Sequence, residues 1–213
     1  SEEMATVGRY SDGLIDKIVA VCETALANRS PSRLDWGIGE VGFASNRRVL
    51  EEGKWTGFGV QADGPVDHSL PVMRVVGKEG ALRAVLANYA CHCTTLGGDM
   101  HSIHGDWAGE AQRLLEERHP GVMAMIAIGC GADANPNPRG NMEAVLQNGK
   151  ALADEVDRVM GTTLTALQSL PVSRIERIEL PLDPLPSREY WEKHAASTDK
   201  TAYYGRLILD RLD

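Results

Sequence analysis

One stretch of the chain, ALRAVLANYACHCTTLGGDMHSIHGDWAG at residues 81–109, constrains the fold more than any other. It begins with a mostly apolar run over residues 81–91, continues through a polar loop, and reaches a helical pattern just after Asp106. The loop from His92 to His104 holds three His, two Thr, two Gly and one Asp. Because ligands of open α/β sheets lie at the carboxyl ends of strands, this order predicts a strand, a ligand-binding loop and a helix in succession.

His92 lies at the predicted end of that strand, and its role is open from the pattern alone. An imidazole there serves as a metal ligand, as a general base, or as a hydrogen-bonded structural residue. A joint metal cluster with Cys91 and Cys93 is disfavoured, because alternate residues of a strand share one face and the residue between them points away. His101 and His104 offer a local site with His92, although the neighbouring Gly residues favour a loop there over one helix face.

Hydrophobic periodicity predicts the other elements. We expect helices over residues 12–28, 107–119, 141–167, 187–196 and 202–212, strands over 34–41, 70–76, 81–91, 122–128 and 172–180, and a long loop over 42–69. Gly77 and Gly80 favour a tight turn, so a β-hairpin is predicted to deliver His92. The run at residues 122–128 is typical of a buried central strand. The order predicts an α/β fold, a layered mixed β-sheet flanked by helices, in a single domain over residues 1–213.

Composition limits the classes of function. The chain has 213 residues, 43% of them hydrophobic, and a net charge of -8. No basic surface stands out, which argues against nucleic acid as a partner. No apolar run reaches the roughly 18 residues of a transmembrane helix. Four Cys are too few for a disulfide scaffold.

A second polar loop follows the apolar run 122–128. Residues 129–140 crowd Asp133, Asn135, Asn137 and Arg139 together with two Pro. Because Pro fixes the backbone and Gly permits tight paths, these side chains are expected to be held stiffly. A turn-rich connection without function is the alternative. Two polar loops after two apolar strands favour one shared cleft, which predicts that this loop and His92 lie together.

Three segments resemble the N-terminal catalytic domain of the neutral/alkaline ceramidase family, and most closely its bacterial ceramidase-like proteins. The first, NYACHCTTLGGDMHSIHGDWAGEAQ, matches at His92, the Thr pair, Asp106 and Gly109. GFASNRR at residues 42–48 resembles the family's Asn-Arg segment. GCGADANPNPRG at residues 129–140 resembles its Gly-Asp-x-Ser-Pro-Asn loop. The order of segments agrees from about Tyr10 to Met160.

The resemblance implies a zinc-dependent hydrolase that cleaves the amide bond of ceramide or a related bond. It also implies that the partner is a small molecule or a lipid-like substrate. In such an enzyme zinc polarises the carbonyl and lowers the pKa of a bound water. The metal ligand carried over is His92. The substrate-binding residues carried over are Asn46, Arg47, Thr94 and Thr95. The catalytic residues carried over are Asp106, Asp133, Asn135 and Asn137.

This chain departs from the family at two places. Asn135 replaces the family's Ser, and Asn can donate to a developing oxyanion, worth roughly 3 kcal/mol, but cannot act as a nucleophile. Only His92 maps onto the family's zinc ligands, which are two His, a Glu and a Tyr. We therefore expect an internal portion of an incomplete catalytic domain, inactive alone, that binds zinc weakly or not at all. Surfaces meant for missing segments would be exposed, which predicts self-association.

A catalytically silent binding domain is the alternative function. Arg47, Arg48 and Arg139 would suit a carbohydrate or an anionic ligand, although surface arginines without a ligand are the simpler interpretation. The sequence does not identify a compartment. Members of the resembled family are often secreted or periplasmic.

Overall fold

The described part of the chain contains five helices and eight strands. The computed structural model describes residues 2–169, 172–181, 184–199 and 201–212. The elements are α1 (Glu2–Ala27), β1 (Ser32–Glu40), β2 (Ala44–Glu51), β3 (Lys54–Gln61), β4 (Ser69–Gly77), β5 (Leu82–Tyr89), α2 (Asp106–Arg118), β6 (Met123–Ile128), β7 (Ala134–Pro136), α3 (Met142–Met160), β8 (Thr165–Ala166), α4 (Arg188–Ala195) and α5 (Thr201–Leu212). Contacts divide the chain into two units, residues 1–170 and 171–213. A single domain over residues 1–213 stays a prediction.

The first unit contains two β-sheets. Five strands form one sheet in the order β6-β5-β4-β1-β8, and three form the other in the order β3-β2-β7. Strands β5 and β6 are parallel, whereas the remaining pairs are antiparallel. The predicted α/β fold with a mixed sheet flanked by helices is confirmed, and the structure adds the smaller second sheet.

The core lies between the larger sheet and the helices α2 and α3. Leu115 of α2 and Leu152 and Val156 of α3 are buried against strand residues such as Val72 and Val85. Apolar residues recur at helical spacing on α3, so one stripe of the helix faces the sheet. This packing holds the ends of β5 and β6, and therefore the two polar loops, on a fixed support.

The hairpin β2–β3 corrects the prediction of a long loop over residues 42–69. The strands turn at Glu52 and Gly53, both with positive φ (50° and 77°), as two-residue hairpin turns require. Register shifts occur between Asn46 and Arg48 and between Val49 and Leu50. These irregularities break the alternation of apolar and polar residues by which a strand is recognised in a sequence.

Two further strand predictions were wrong in part or whole. Strand β6 exists but lies at the edge of the five-stranded sheet, and its Met123 and Met125 are more than half exposed. The described residues 172–181 form neither helix nor strand, although a strand over residues 172–180 was predicted. The predicted helices at residues 187–196 and 202–212 are confirmed as α4 and α5. Within the described ranges, no helix is both long and apolar enough to cross a membrane.

Candidate functional site

The two polar loops meet where β5 and β6 end. Tyr89 and Ile128 are register partners at the ends of these parallel strands, so both loops leave the sheet side by side. His92 then donates its backbone N–H to the carbonyl of Ala134, at 3.0 Å. The structure thus brings His92 next to the loop that carries Asp133, Asn135 and Asn137.

Strand β2 pairs with β7, which is part of the second polar loop. Its register pairs Ser45 with Asn135 and Asn46 with Ala134. The backbone N–H of Arg47 also donates to the carbonyl of Asp133, at 2.7 Å. Three segments that are far apart in the sequence therefore converge here, and they are the same three that carry the family resemblance.

Asn46 holds these segments together. Its Nδ2 donates to the carbonyl of Pro65 at 2.8 Å and to Oδ2 of Asp133 at 3.4 Å, while its Oδ1 accepts from the backbone N–H of Arg48. The residue is buried. Since its amide is engaged on both sides, the geometry favours a structural role for Asn46 over the substrate-binding role predicted from the sequence.

Arg47 lies at the rim of the same region. Its Nε donates to the carbonyl of Ala132 at 3.1 Å, and its guanidinium carbon lies 4.5 Å from the centroid of the Phe58 ring. The side chain is half-buried. A planar guanidinium fixed on one edge can still present its outer nitrogens to a carboxylate or phosphate, so a substrate-binding role for Arg47 stays a prediction.

Asn135 is oriented by Thr94. The Thr94 hydroxyl donates to Oδ1 of Asn135 at 3.2 Å, and Asn135 is buried. With the carbonyl oxygen engaged, the amide N–H groups are the donors that remain for another acceptor. Thr95 differs from its neighbour, because it is completely buried and its hydroxyl has no hydrogen-bond partner in the described part of the chain. In this conformation Thr95 exposes no surface to a ligand, and its predicted substrate-binding role stays a prediction.

Asp106 acts as a clamp between the polar loop and α2. Its Oδ2 accepts from the backbone N–H of Leu96 at 3.0 Å, and its Oδ1 accepts from the N–H of Trp107 at 2.8 Å. The residue is buried and has a φ of 54°. Because both carboxylate oxygens are occupied by backbone groups, the geometry favours positioning of the loop over the catalytic role predicted for Asp106.

An aromatic cluster supports the site, and the sequence reasoning missed it. The rings of Phe43, Tyr89 and Trp107 contact one another with centroids 4.8 to 5.7 Å apart. The Tyr89 hydroxyl donates to the carbonyl of Val41 and accepts from the N–H of Ala44, and burial raises its pKa. Trp107 Nε1 donates to the carbonyl of His92 at 2.9 Å. The chain has few aromatic residues, and three of them close to the predicted site were the sequence signal that could have pointed to this cluster.

Burial also affects the Cys91 thiol. Desolvation, strengthened by nearby Cys93 and Asp106, raises the pKa of the Cys91 thiol to about 12. Without a metal the thiol is therefore protonated near neutral pH, whereas metals bind the thiolate. The expectation that Cys91, His92 and Cys93 form no joint cluster stays a prediction.

His92 by itself fits one ligand of a metal. Its Nε2 is shielded from solvent and has no hydrogen-bond partner among the described residues, and an imidazole nitrogen can coordinate a metal. Nowhere in the described ranges, however, do three or more His, Cys, Asp or Glu side chains form a metal-binding group. Catalytic zinc needs about three protein ligands, so the residues described here do not make a complete zinc site.

The His101 and His104 alternative meets a specific obstacle. Nδ1 of His104 accepts the backbone N–H of Asp106 at 2.9 Å, so this nitrogen's lone pair is already engaged. A cavity of about 370 Å³ lies beside this loop and is lined by Cys93, Leu96, Gly97, Met100, Ser102, His104, Gly105 and Asp106. His92 does not line it. A larger cavity of about 940 Å³ lies between α1 and the sheet, away from the polar loops.

The fold is similar to part of two solved ceramidases. The neutral ceramidase from Pseudomonas aeruginosa superposes on 75% of this chain with a TM-score of 0.61 and 20% identity. A ceramidase complexed with C2 superposes on 70% with a TM-score of 0.58 and 20% identity. The matched region spans only 27% and 25% of those two chains. No protein-family model and no curated protein matches the sequence. The predicted resemblance to ceramidases is therefore confirmed at the level of the fold.

Proposed function

We propose that this chain carries part of the site of a zinc-dependent, ceramidase-like hydrolase, which cleaves an amide or a related bond in a lipid-like substrate. One observation carries the proposal. The hydrogen bond from His92 to Ala134 puts the candidate metal ligand against the loop of residues 133–137, on a fold similar to that of a ceramidase.

Asn135 is the residue to which we assign the main chemical role. Thr94 donates to its Oδ1, and its Nδ2 is the group that would donate to a substrate oxygen in this proposal. A fixed amide donor of this kind stabilises a developing oxyanion, an effect of roughly 3 kcal/mol. Since Asn is not a nucleophile, the attacking group in this proposal is water. Zinc, when bound with further ligands beyond those described, would supply Lewis-acid chemistry.

The test is hydrolysis of a panel of N-acyl amides and esters by the protein that contains this chain, with zinc and with a chelator. We expect His92→Ala to remove most of the turnover. His119→Gln is the matched control, because His119 lies at the end of α2 and bonds Asp157 rather than the site. Equal turnover by His92→Ala and the parent protein would contradict the proposal.

A binding domain without catalysis is the second candidate. It is favoured by Asn135 at the position of the family's Ser and by Arg47 at the rim of the site. Titration with simple sugars and with carboxylate or phosphate anions distinguishes the two functions. Binding that is lost in Arg47→Ala, without turnover of any ester or amide, would identify the binding domain.

A further inference from the structure

The hairpin β2–β3 exposes an apolar surface beside the candidate site. Leu50 is the register partner of Trp55, and Phe58 and Val60 are alternate residues of β3. Their side chains are 49%, 56%, 62% and 56% exposed, respectively. The rings of Trp55 and Phe58 contact each other with centroids 5.5 Å apart. We call these four residues the hairpin patch. Contiguous exposed apolar groups of this kind mark interaction surfaces.

The hairpin patch is continuous with the candidate site. Arg47 packs over the ring of Phe58 on one side and bonds the carbonyl of Ala132 on the other. Ala132 directly precedes Asp133. A molecule that covers Phe58 therefore lies against the loop of residues 133–137, with one guanidinium between them.

We propose that the hairpin patch docks on an uncharged lipid surface and so brings the site to its substrate. This proposal rests on the proposed function, which supplies a lipid-like substrate. Trp is enriched at the boundary between lipid and water, and Trp, Phe and Leu are the usual apolar side chains of segments that lie on a membrane surface. Arg and Lys cover apolar surface with their stems while the charge stays in water. Arg48 and Lys54 are exposed on the same hairpin.

The charges of the hairpin and of the whole chain favour an uncharged lipid surface. Residues 44–61 carry three cations (Arg47, Arg48, Lys54) and two anions (Glu51, Glu52), a net charge of +1, whereas the whole chain has -8. An anionic membrane would repel the chain as a whole. A zwitterionic surface, such as phosphatidylcholine, accepts the apolar side chains without this repulsion.

The test is co-sedimentation of the protein with phosphatidylcholine vesicles, which needs no turnover. We expect the wild-type protein to bind. The double variant Trp55→Thr/Phe58→Thr, which keeps strand-forming residues, should weaken partitioning by about tenfold or more, since two large apolar groups are lost. The control is Ile15→Gln/Ile18→Gln on α1, an amphipathic helix whose Ile15 and Ile18 are 60% and 54% exposed. This control should bind as the wild type does.

A second measurement does not depend on the folding of the double variant. Brominated phosphatidylcholine should quench part of the tryptophan fluorescence of the wild type, and Trp55→Phe should lose most of that quenching. Trp107 is fully buried and stays unaffected. Absence of vesicle binding, loss of binding only in the α1 variant, or quenching that survives Trp55→Phe would each overturn the proposal. The proposal would also be overturned if the hairpin variant dissociated an oligomer and left vesicle binding unchanged. Vesicle binding without hydrolysis of any substrate would instead count against the proposed function alone.

Discussion

Position 106 requires both an unusual backbone conformation and a side chain that accepts hydrogen bonds, and few residue types meet both requirements. It occupies the left-handed region of the backbone, with φ at 54°, and its carboxylate accepts two backbone N–H groups. We expect Asp106→Ala to lower the free energy of unfolding by roughly 3 kcal/mol, because the N–H of Leu96 loses its partner and the backbone is strained. Asp106→Gly should cost about 1 to 2 kcal/mol less, since Gly accepts positive φ. Urea denaturation measures both. Equal losses would show that backbone strain contributes nothing.

Asn135 stands where the resembled family has a Ser, so one substitution tests whether that Ser by itself would bring activity. We expect that Asn135→Ser creates no hydrolytic activity in this chain, because the position is buried and the resemblance carries over one metal ligand, His92, whereas catalytic zinc needs about three. An amide-directed acylating probe followed by peptide mass spectrometry is the measurement. Asn137→Ser, exposed in the same loop, controls for non-specific labelling. An acyl adduct found on the Asn135→Ser peptide and absent from the control would disprove the expectation.

At the scale of elements, the approach of the β6 loop to the end of β5 depends on Gly131. A Cβ at this position would lie 2.5 Å from the backbone nitrogen of Cys91. We expect Gly131→Ala to cost about 1 to 3 kcal/mol of stability and to separate the two loops. Faster hydrogen exchange of the His92 amide, which bonds Ala134, would report the separation. Gly98→Ala is the control, because nothing lies within 4 Å of its added carbon. Its effect should stay within about 0.5 kcal/mol.

The loop from His92 to His104 should bind zinc weakly or not at all. One imidazole gains little from a metal that must shed water to bind it, and ligands depend on partners that orient them. Metal analysis after dialysis is expected to find far less than one zinc per chain. A stoichiometric zinc that is lost on His92→Ala and also on His101→Ala would establish a local site, and this expectation would then be wrong.

At the scale of the whole first unit, one face of the larger sheet is apolar and partly exposed. The register aligns Trp36, Met73, Leu86 and Met125 in one row across four strands. Trp36 and Met125 are 38% and 52% exposed. Since such a face gains free energy when it is covered, we expect the mass in solution to rise with protein concentration.

Sedimentation velocity over a range of concentrations measures this self-association. Met125→Lys should shift the distribution towards the monomer, because it places a charge in the row. Leu146→Lys is the matched control, as Leu146 is 49% exposed on α3. A monomer at every concentration, or equal effects of the two substitutions, would contradict the expectation.

Local patterns predicted the elements whose signals are short-range. The apolar stripe of α3, the turn at Gly77 and Gly80, and the run before His92 each predicted an element that the structure contains. The same reasoning missed β2 and β3, because bulges and Gly residues interrupt their alternation. It also placed β6 in the centre of the sheet. The apolar pattern of a strand is the same in the sequence whether the strand pairs with another strand on one edge or on both.

The sequence by itself determined the residues that gather at the site and the class of fold, because strand, loop and helix preferences are local and the motifs keep their order. Only the tertiary structure decided which partners and how much burial each of those residues has. Asn46 and Asp106 became internal hydrogen-bond partners, Thr95 became buried, and His92 kept a shielded nitrogen without a partner in the described residues. These outcomes depend on which distant backbone groups approach each side chain, and that is fixed by packing between segments.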